Sequence, residues 1–315
     1  MDLSVVIPCF NEQEALLTTY QRVKATCESL GVGEYELIFV NDGSIDQTWS
    51  LILKISKYDR CVVGVDLARN FGHQIALSAG LSVSKGDRVF VLDADLQDPP
   101  ELLNEMMDTM DEGYDVVYGK RVTRRGESFF KKMSAFAFYR ILSYFSNVTI
   151  PVDTGDFRLM SRRVVDGLKG MPEQYRFIRG LVAWQGYKQC GIDYERHPRV
   201  AGTSKYPFFK MIAFAFDAIS GFSIAPVRLA SFMALVFSLL SLILSVHAVA
   251  SWLFLNAVPG WSSTALAISA LGAIQLVCIG VIGEYVGRIY MEVKARPLFL
   301  INDIVSHKVI ESDEK

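Results

Sequence analysis

Residues 89–100, with the sequence VFVLDADLQDPP, decide the fold of this chain. The four apolar residues 89–92 predict a buried strand, which ends abruptly at Asp93 and Asp95. A strand that ends in this way places both carboxylates at the carboxyl edge of a sheet, where open α/β folds bind ligands. One divalent cation can take both carboxylates together with substrate phosphates. An ordinary helix start explains only Asp98 and Glu101, whose spacing predicts an N-cap with its capping box.

Four further apolar runs in the first half of the chain have the length and composition of buried strands. They cover residues 3–8, 35–40, 61–65 and 115–118. Helix-length segments separate the runs, which predicts an α/β fold with a doubly wound, mostly parallel sheet. Because the carboxyl ends of parallel strands share one edge, the polar residues that follow all five strands predict a common site there. Turn chemistry alone explains one polar strand end more readily than five.

The composition excludes several classes of protein. A formal net charge of −2 gives no indication of a nucleic-acid partner. The chain has neither a P-loop nor a G-x-G-x-x-G after its first strand, which disfavours those nucleotide sites. Five scattered cysteines without a C-x-x-C predict free thiols in a reducing cytoplasm. No basic segment followed by an apolar run opens the chain, so we expect no signal peptide.

Residues 229–283 contain no Asp, Glu, Lys or Arg. This stretch is long enough for two membrane spans of roughly 20 residues each, which we expect at about 229–255 and 263–287. Basic residues flank both outer ends, so the positive-inside rule places the sheet domain and both termini in the cytoplasm. These flanking residues are Arg228, Arg288, Lys294 and Arg296. A buried helical hairpin in a soluble fold is the alternative that the length disfavours.

Two segments mix aromatic and basic residues as interfacial helices do: residues 126–147, and residues 205–227 before the first span. A core helix with snorkelling basic side chains stays open for the first segment. The predicted organisation is a catalytic domain at 1–204, a juxtamembrane helix at 205–227, two transmembrane helices within 228–290 and a cytoplasmic tail at 291–315.

Several motifs, in this order, resemble those of the GT-A glycosyltransferases of family 2. They are VVIPCFNE at 5–12, VNDGS at 40–44, RNFG at 69–72, DADLQ at 93–97, DTGDFRLM at 153–160 and RVAGTSK at 199–205. More narrowly, the chain resembles the polyprenyl-phosphate type, to which bactoprenol glucosyltransferases and dolichol-phosphate mannose synthases belong. The resemblance covers essentially the whole chain and implies a GT-A fold with a nucleotide-sugar donor.

The resemblance also implies the site residues. The donor nucleotide would be bound by Pro8, Phe10, Glu12, Asp42, Asn70, Gly72, Asp93 and Ala94. Mg²⁺ or Mn²⁺ would be bound by Asp93, Asp95 and Gln97. The acceptor phosphate would be bound by Arg121, Arg158, Arg199, Ser204 and Lys205. Asp95 and Asp156 would be catalytic, although a phosphate that is already ionised needs positioning more than a base. Asp156 as an orienting group, and Arg158 as its ion-pair partner, therefore stay open. His73 and His197 lack metal-ligand spacing, which predicts structural or solvent-facing roles.

The implied activity is the inverting transfer of a single sugar to undecaprenyl or another polyprenyl phosphate at the bacterial inner membrane. Glucose from UDP-glucose is the first expectation, and the product would serve periplasmic glycan or O-antigen modification. Mannose and amino sugars stay open, as does a homo-oligomer. A processive polysaccharide synthase is disfavoured because the chain has no Q-x-x-R-W segment. An inactive nucleotide-sugar-binding membrane scaffold is disfavoured because both the donor and the acceptor motifs are present.

Overall fold

The computed structural model of the protein describes residues 1–122, 154–195, 225–254 and 260–307. These residues belong to two compact units. The first contains the described residues up to 195 and those from Pro297 onward, and the second contains the described residues between 225 and 296. The interfacial helix predicted at 126–147, and nearly all of that predicted at 205–227, lie outside the described residues.

The first unit is built on one eight-stranded sheet with the strand order β7-β5-β6-β4-β1-β2-β3-β8. The strands are β1 Leu3–Cys9, β2 Tyr35–Asn41, β3 Val62–Leu67, β4 Arg88–Val91, β5 Val116–Arg121, β6 Thr154–Ser161, β7 Gln189–Tyr194 and β8 Ile301–Ser306. Parallel pairing joins β3, β2, β1 and β4, and also joins β5 to β7. Only β6 and β8 run antiparallel to their neighbours. The predicted mostly parallel α/β sheet is confirmed.

Helices connect the strands of the first unit. They are α1 Leu16–Ser29, α2 Thr48–Tyr58, α3 His73–Val83, α4 Leu103–Asp111, α5 Arg162–Lys169 and α6 Ile178–Trp184. All seven residues of β1 are buried, as expected for a strand that is covered on both faces. Helix α3 lies so close to the sheet that a Cβ on Gly80 would clash with Val6 Cγ1 and would lie 2.9 Å from Val40 Cγ2. This close packing fixes the first residues of α3 at the carboxyl edge of the sheet.

The predicted helix start at Asp98 differs from the structure. Pro99, and not Asp98, occupies the N-cap position of the short 3₁₀ turn Pro100–Leu102, and no side chain caps it. Asp98 is buried and accepts a hydrogen bond from Tyr194, while Glu101 forms an ion pair with Arg22. The predicted capping box is therefore wrong, because a buried carboxylate needs a hydrogen-bond donor and the Tyr194 hydroxyl supplies one to Asp98.

The predicted tail at 291–315 contains β8, which pairs with β3.

The second unit contains two long helices, α7 Ala225–Phe254 and α8 Trp261–Val293. They approach each other where Cys278 Sγ lies 3.5 Å from the Ala230 carbonyl oxygen. Within the described residues, the stretch Ala270–Val293 is long and apolar enough to span a membrane, and Ala230–Leu240 is a shorter apolar stretch. The two complete spans at 229–255 and 263–287 therefore stay a prediction.

A buried carboxylate, Asp59, stabilises the packing of α1 against the end of α2. Its Oδ2 accepts hydrogen bonds from the Tyr20 hydroxyl at 2.7 Å and from Lys24 Nζ at 2.5 Å. Burial alone would raise the pKa of Asp59, but Lys24 and Tyr20 lower the pKa below its ordinary value. The stability that this lowered pKa contributes is present above the unfolded-state pKa of about 4 and is lost as the pH falls below it.

We expect Asp59→Asn to lower the midpoint of thermal unfolding at pH 7, because a charge-assisted hydrogen bond contributes about 1.5–3 kcal/mol. The difference from wild type should shrink as the pH falls below about 4. Asp193→Asn, which removes an exposed ion pair with Lys120, is the matched control and should change little. A difference for Asp59→Asn that stays constant between pH 7 and pH 3 would contradict this explanation.

Candidate active site

The loop after β4 places Asp93 and Asp95 at the carboxyl edge of the sheet, as predicted. The Asp95 Oδ1 atom accepts a hydrogen bond from the Gln97 backbone N–H at 3.1 Å, and Leu96 between them has a φ of +53°. The Ala94 carbonyl accepts a hydrogen bond from the Thr19 hydroxyl at 2.7 Å, which fastens the loop to α1. Asp93, Asp95 and Gln97 are all partly exposed. This tight turn thus places both side chains, each partly exposed, at the same edge of the sheet.

Asp156 reaches the same edge because β6 runs antiparallel to β4. Val91 is paired with Arg158, and the same register carried two residues further places Asp156 beside Asp93. In an antiparallel pair, the beginning of one strand lies next to the end of the other. The first residues of β6 therefore meet the last residues of β4, and the predicted association of Asp156 with the Asp93 loop has a structural cause.

His73, the first residue of α3, lies between these two carboxylates. Its Nε2 atom is 3.4 Å from Asp93 Oδ1 and 3.3 Å from Asp156 Oδ2. Burial opposes protonation of the imidazole, but the two carboxylates raise the pKa of His73 to about 9. Burial also raises the pKa of Asp93, which is repelled in addition by Asp156. The sequence predicts a structural or solvent-facing role for His73, and the structure adds that this partly exposed side chain contacts both Asp93 and Asp156.

Two further side chains hold Asp156. Gln74 Nε2 donates a hydrogen bond to Asp156 Oδ2 at 2.6 Å, and Arg179 Nε lies 3.2 Å from Asp156 Oδ1. Burial would raise the pKa of Asp156, but Arg179 and His73 hold the pKa well below its ordinary value. A carboxylate held in this way stays ionised and is a weak base.

Asp42 organises the neighbouring part of the edge. Its two carboxylate oxygens accept hydrogen bonds from the backbone N–H groups of Phe71 at 2.7 Å and Gly72 at 2.9 Å. The Asn70 side chain donates to the Asp42 carbonyl at 3.1 Å. Burial raises the pKa of Asp42, although these N–H donors partly offset the effect. Three of the predicted nucleotide-binding residues, Asp42, Asn70 and Gly72, therefore lie together.

The loop after β1 lies against the loop after β2. Pro8 is buried in β1, and the following residues Phe10 and Glu12 are partly exposed. The Glu12 backbone N–H donates to the Thr48 hydroxyl at 2.9 Å, and the Asn11 N–H donates to the Ser44 hydroxyl at 3.0 Å. These bonds hold the loop after β1 beside the loop after β2, which brings the predicted nucleotide-binding residues of both motifs to one region.

The predicted acceptor-side arginines differ in exposure. Arg121 is one-quarter exposed, donates to the Tyr194 hydroxyl at 3.2 Å and lies 3.6 Å from Asp98, to which Tyr194 also donates. Arg158 is buried, donates to the Gly155 carbonyl at 2.9 Å, and has its pKa lowered to about 10 by burial. Arg199, Ser204 and Lys205 lie outside the described residues.

Sequence reasoning missed His73, Gln74 and Arg179. His73 and Gln74 directly follow the RNFG motif, so their position at the start of a helix beside the site could have indicated a role. Arg179 follows the motif segment of β6 by about twenty residues and has no comparable signal. Its Nη1 donates to the Thr154 carbonyl at 2.7 Å, which only the folded chain reveals.

Asp42→Asn should loosen the loop at residues 69–72, because an amide replaces the charged acceptor of two backbone N–H groups. We expect hydrogen exchange of the Phe71 and Gly72 amides to accelerate by roughly ten- to a hundredfold. Asp46→Asn is the matched control, because the Asp46 carboxylate accepts from two other backbone N–H groups, those of Thr48 and Gln13, and has no recorded hydrogen bond to residues 69–72 in the described part of the chain. Unchanged protection in Asp42→Asn would show that the carboxylate does not hold the loop.

Comparisons with known proteins agree on a family. A family model with the description "Glycosyl transferase family 2" matches residues 4–168 of this chain. The uncharacterized glycosyltransferase sll0501 of Synechocystis is 44% identical over 96% of this chain and 96% of its own length. The uncharacterized glycosyltransferase YkcC of Bacillus subtilis is 45% identical over 95% of this chain and 92% of its own. The bactoprenol glucosyl transferase of Shigella phage SfX is 39% identical over 96% of this chain and 99% of its own. The chain therefore belongs to glycosyltransferase family 2 and is a glycosyltransferase.

Proposed function

We propose that this glycosyltransferase transfers one sugar from a nucleotide-sugar to the phosphate of a membrane polyprenol, with inversion at the anomeric carbon. Glucose from UDP-glucose is the first expectation for the donor. The observation that carries the proposal is the match to a bactoprenol glucosyl transferase over nearly the full length of both chains. The carboxylates that converge at one edge of the sheet support it, because residues that we assign to the donor and to the acceptor lie together there.

A divalent cation fits the Asp93 loop. Asp93 Oδ1 is buried and accepts no hydrogen bond from the described residues; its recorded contact is the ion pair with His73 Nε2 at 3.4 Å. No three His, Cys, Asp or Glu side chains form a ready-made metal site in the part of the chain that the structure describes. This arrangement suits Mg²⁺, which proteins usually bind through one or two carboxylates, with substrate phosphates as further ligands. Asp93, Asp95 and Gln97 would hold the ion, which when bound supplies positive charge for the departing nucleoside diphosphate.

Asp156 would orient the acceptor side of the site and not serve as a general base. Its carboxylate is held by Gln74, Arg179 and His73, and its pKa lies well below neutrality. A phosphate monoester has a second pKa of about 6, so the acceptor is already largely ionised near pH 7. Transfer then requires that the acceptor oxygen lie in line with the anomeric carbon more than it requires a base.

Among the described basic residues, Arg121 is best placed to bind the acceptor phosphate. Its guanidinium lies over Gly155, where an added Cβ would meet Arg121 Nη2 at 2.6 Å. Gly155 is next to Asp156, so Arg121 approaches the acceptor side of the site. Arg199, Ser204 and Lys205 would complete the phosphate site on the strength of their motif. Because Arg158 is buried, it would support the phosphate site indirectly, by its hydrogen bond to the Gly155 carbonyl.

Membrane attachment would follow from the C-terminal helices. Large apolar side chains on both α7 and α8 are exposed, among them Phe232, Leu235, Leu276 and Ile279. An exposed apolar surface of this kind is costly in water and favourable in lipid. We propose two spans with the sheet unit and both termini in the cytoplasm of a bacterial cell. The polyprenyl chain of the acceptor would lie in the same bilayer.

A turnover assay tests the proposal directly. Purified protein would be incubated with undecaprenyl phosphate and each member of a panel of radiolabelled nucleotide-sugars. We expect UDP-glucose to give the most lipid-linked label of all the donors tested. Label from an amino-sugar or mannose donor would change the sugar and keep the reaction. Labelled polymer, or no lipid product with any donor, would overturn the proposal.

Asp93→Asn and Asp95→Asn should each remove most of this activity, because each removes one anionic ligand of the proposed cation. EDTA should abolish wild-type turnover, and added Mg²⁺ or Mn²⁺ should restore it. Asp111→Asn is a suitable control, since Asp111 is the exposed last residue of α4 and pairs with Arg88 at the start of β4. Full activity of the wild type in EDTA would contradict the metal assignment.

Arg121→Gln should weaken use of the acceptor and spare the donor. Loss of a charge-assisted phosphate contact should lower kcat/KM for the lipid by roughly ten- to a hundredfold. The Kd for UDP with Mn²⁺, measured by calorimetry, should stay within about twofold of wild type.

Lys120→Gln is the matched control for Arg121→Gln. Lys120 is adjacent on β5, carries the same charge and pairs with Asp193, and neighbouring strand residues point to opposite faces. Neither parameter should change in this variant. A large loss of UDP affinity in Arg121→Gln would instead assign Arg121 to the donor.

A further inference from the structure

We infer that His73 is a positioning residue that fixes the donor-side carboxylate of Asp93 relative to the acceptor-side carboxylate of Asp156. The inference deepens the proposed function and rests on it, since the two sides are defined by that reaction. His73 would act through these two aspartates, and contact with the substrate is not required.

The geometry of the imidazole carries the inference. His73 Nε2 lies 3.4 Å from Asp93 Oδ1 and 3.3 Å from Asp156 Oδ2, so both oxygens are within reach of one nitrogen. The Asp156 side chain is 6% exposed, which shields this contact from solvent. Asp93 lies in the loop after β4, Asp156 lies near the start of the paired strand β6, and the imidazole comes from helix α3. His73 therefore links three separate elements at the point where donor and acceptor would meet.

Backbone contacts hold His73 in this position. The preceding Gly72 N–H donates to Asp42 Oδ2 at 2.9 Å, and the Gly72 carbonyl accepts from the Ala76 N–H at 3.0 Å. The φ of Gly72 is +97°, a conformation that other residues rarely adopt. Helix α3 is buried against the sheet from Ala76 to Leu81. A side chain presented from such a rigid element can hold its partners at a set distance.

The two aspartates depend on His73 to different extents. Asp156 keeps Gln74 and Arg179 as further partners. For Asp93, His73 is the one ion-pair partner recorded in the described part of the chain. Loss of the imidazole would free Asp93 to reorient and would also remove a competitor for a bound cation. Donor binding should thus persist or tighten, while the transfer step should slow because the two carboxylates are no longer held together.

His73→Ala and His73→Gln in the full-length protein test this split. We expect His73→Ala to lower kcat by roughly ten- to a hundredfold, with a Kd for UDP and Mn²⁺ no weaker than that of wild type. His73→Gln keeps one N–H donor and should recover most of the lost kcat. His307→Gln is the control, because the β8 register places it at the opposite edge of the sheet, and it should change neither value.

A double-mutant cycle with Asp156→Asn shows whether His73 acts through Asp156. The double variant should lose less activity than the product of the two single losses, since coupled residues are not additive. The inference would be overturned if the two single losses multiplied in the double variant, or if His73→Gln were no more active than His73→Ala. It would also be overturned if His73→Ala lost nucleotide affinity in parallel with kcat, or did not bind nucleotide at all. Wild-type turnover on polyprenyl phosphate tests the proposed function, whereas the ratio of variant to wild type on whichever acceptor is used tests the role of His73.

Discussion

The antiparallel pairing of β6 with β4 is the constraint on which the site depends. A purely parallel sheet would bring only strand ends to the edge that holds Asp93 and Asp95. Because β6 runs in the opposite direction, its first residues lie beside the last residues of β4, and Asp156 joins the same edge. Residues more than sixty positions apart in the chain thus form one cluster, because the pairing of β4 with β6 brings the loop after β4 next to the first residues of β6.

Such a cluster of carboxylates is stable only because cations and donors lie among them. His73 lies between Asp93 and Asp156, Arg179 contacts Asp156, and Arg121 with Tyr194 contacts Asp98. Buried charges without such partners would cost several kcal/mol each. The same partners keep Asp156 ionised, which suits an orienting group. The polar network is therefore both the reason that this edge is stable and the reason that its geometry is defined.

The sequence was sufficient for the parts of the fold that depend on local patterns. Apolar runs predicted β1 to β5, and the motifs after them predicted Asp93 and Asp42 at one edge. The insertion of β6 between β4 and β5 is a long-range pairing that no local pattern encodes. Strand β8 is mostly exposed, with only Val305 buried, so it lacks the apolar signal of the other strands. Asp98 had the spacing of a helix cap, but the Tyr194 hydroxyl, nearly a hundred residues away, is its partner.

The membership in glycosyltransferase family 2, the convergent carboxylates and the apolar C-terminal helices all fit sugar transfer to a membrane phosphate. In-line attack by a single acceptor oxygen would leave no covalent sugar–enzyme intermediate. The anomeric configuration of the lipid product, measured by NMR after a reaction with UDP-α-glucose, tests this most directly. We expect one β-linked glucosyl group per polyprenyl phosphate and stoichiometric release of UDP. An α-linked product, or more than one sugar per lipid, would contradict a single inverting transfer at this site.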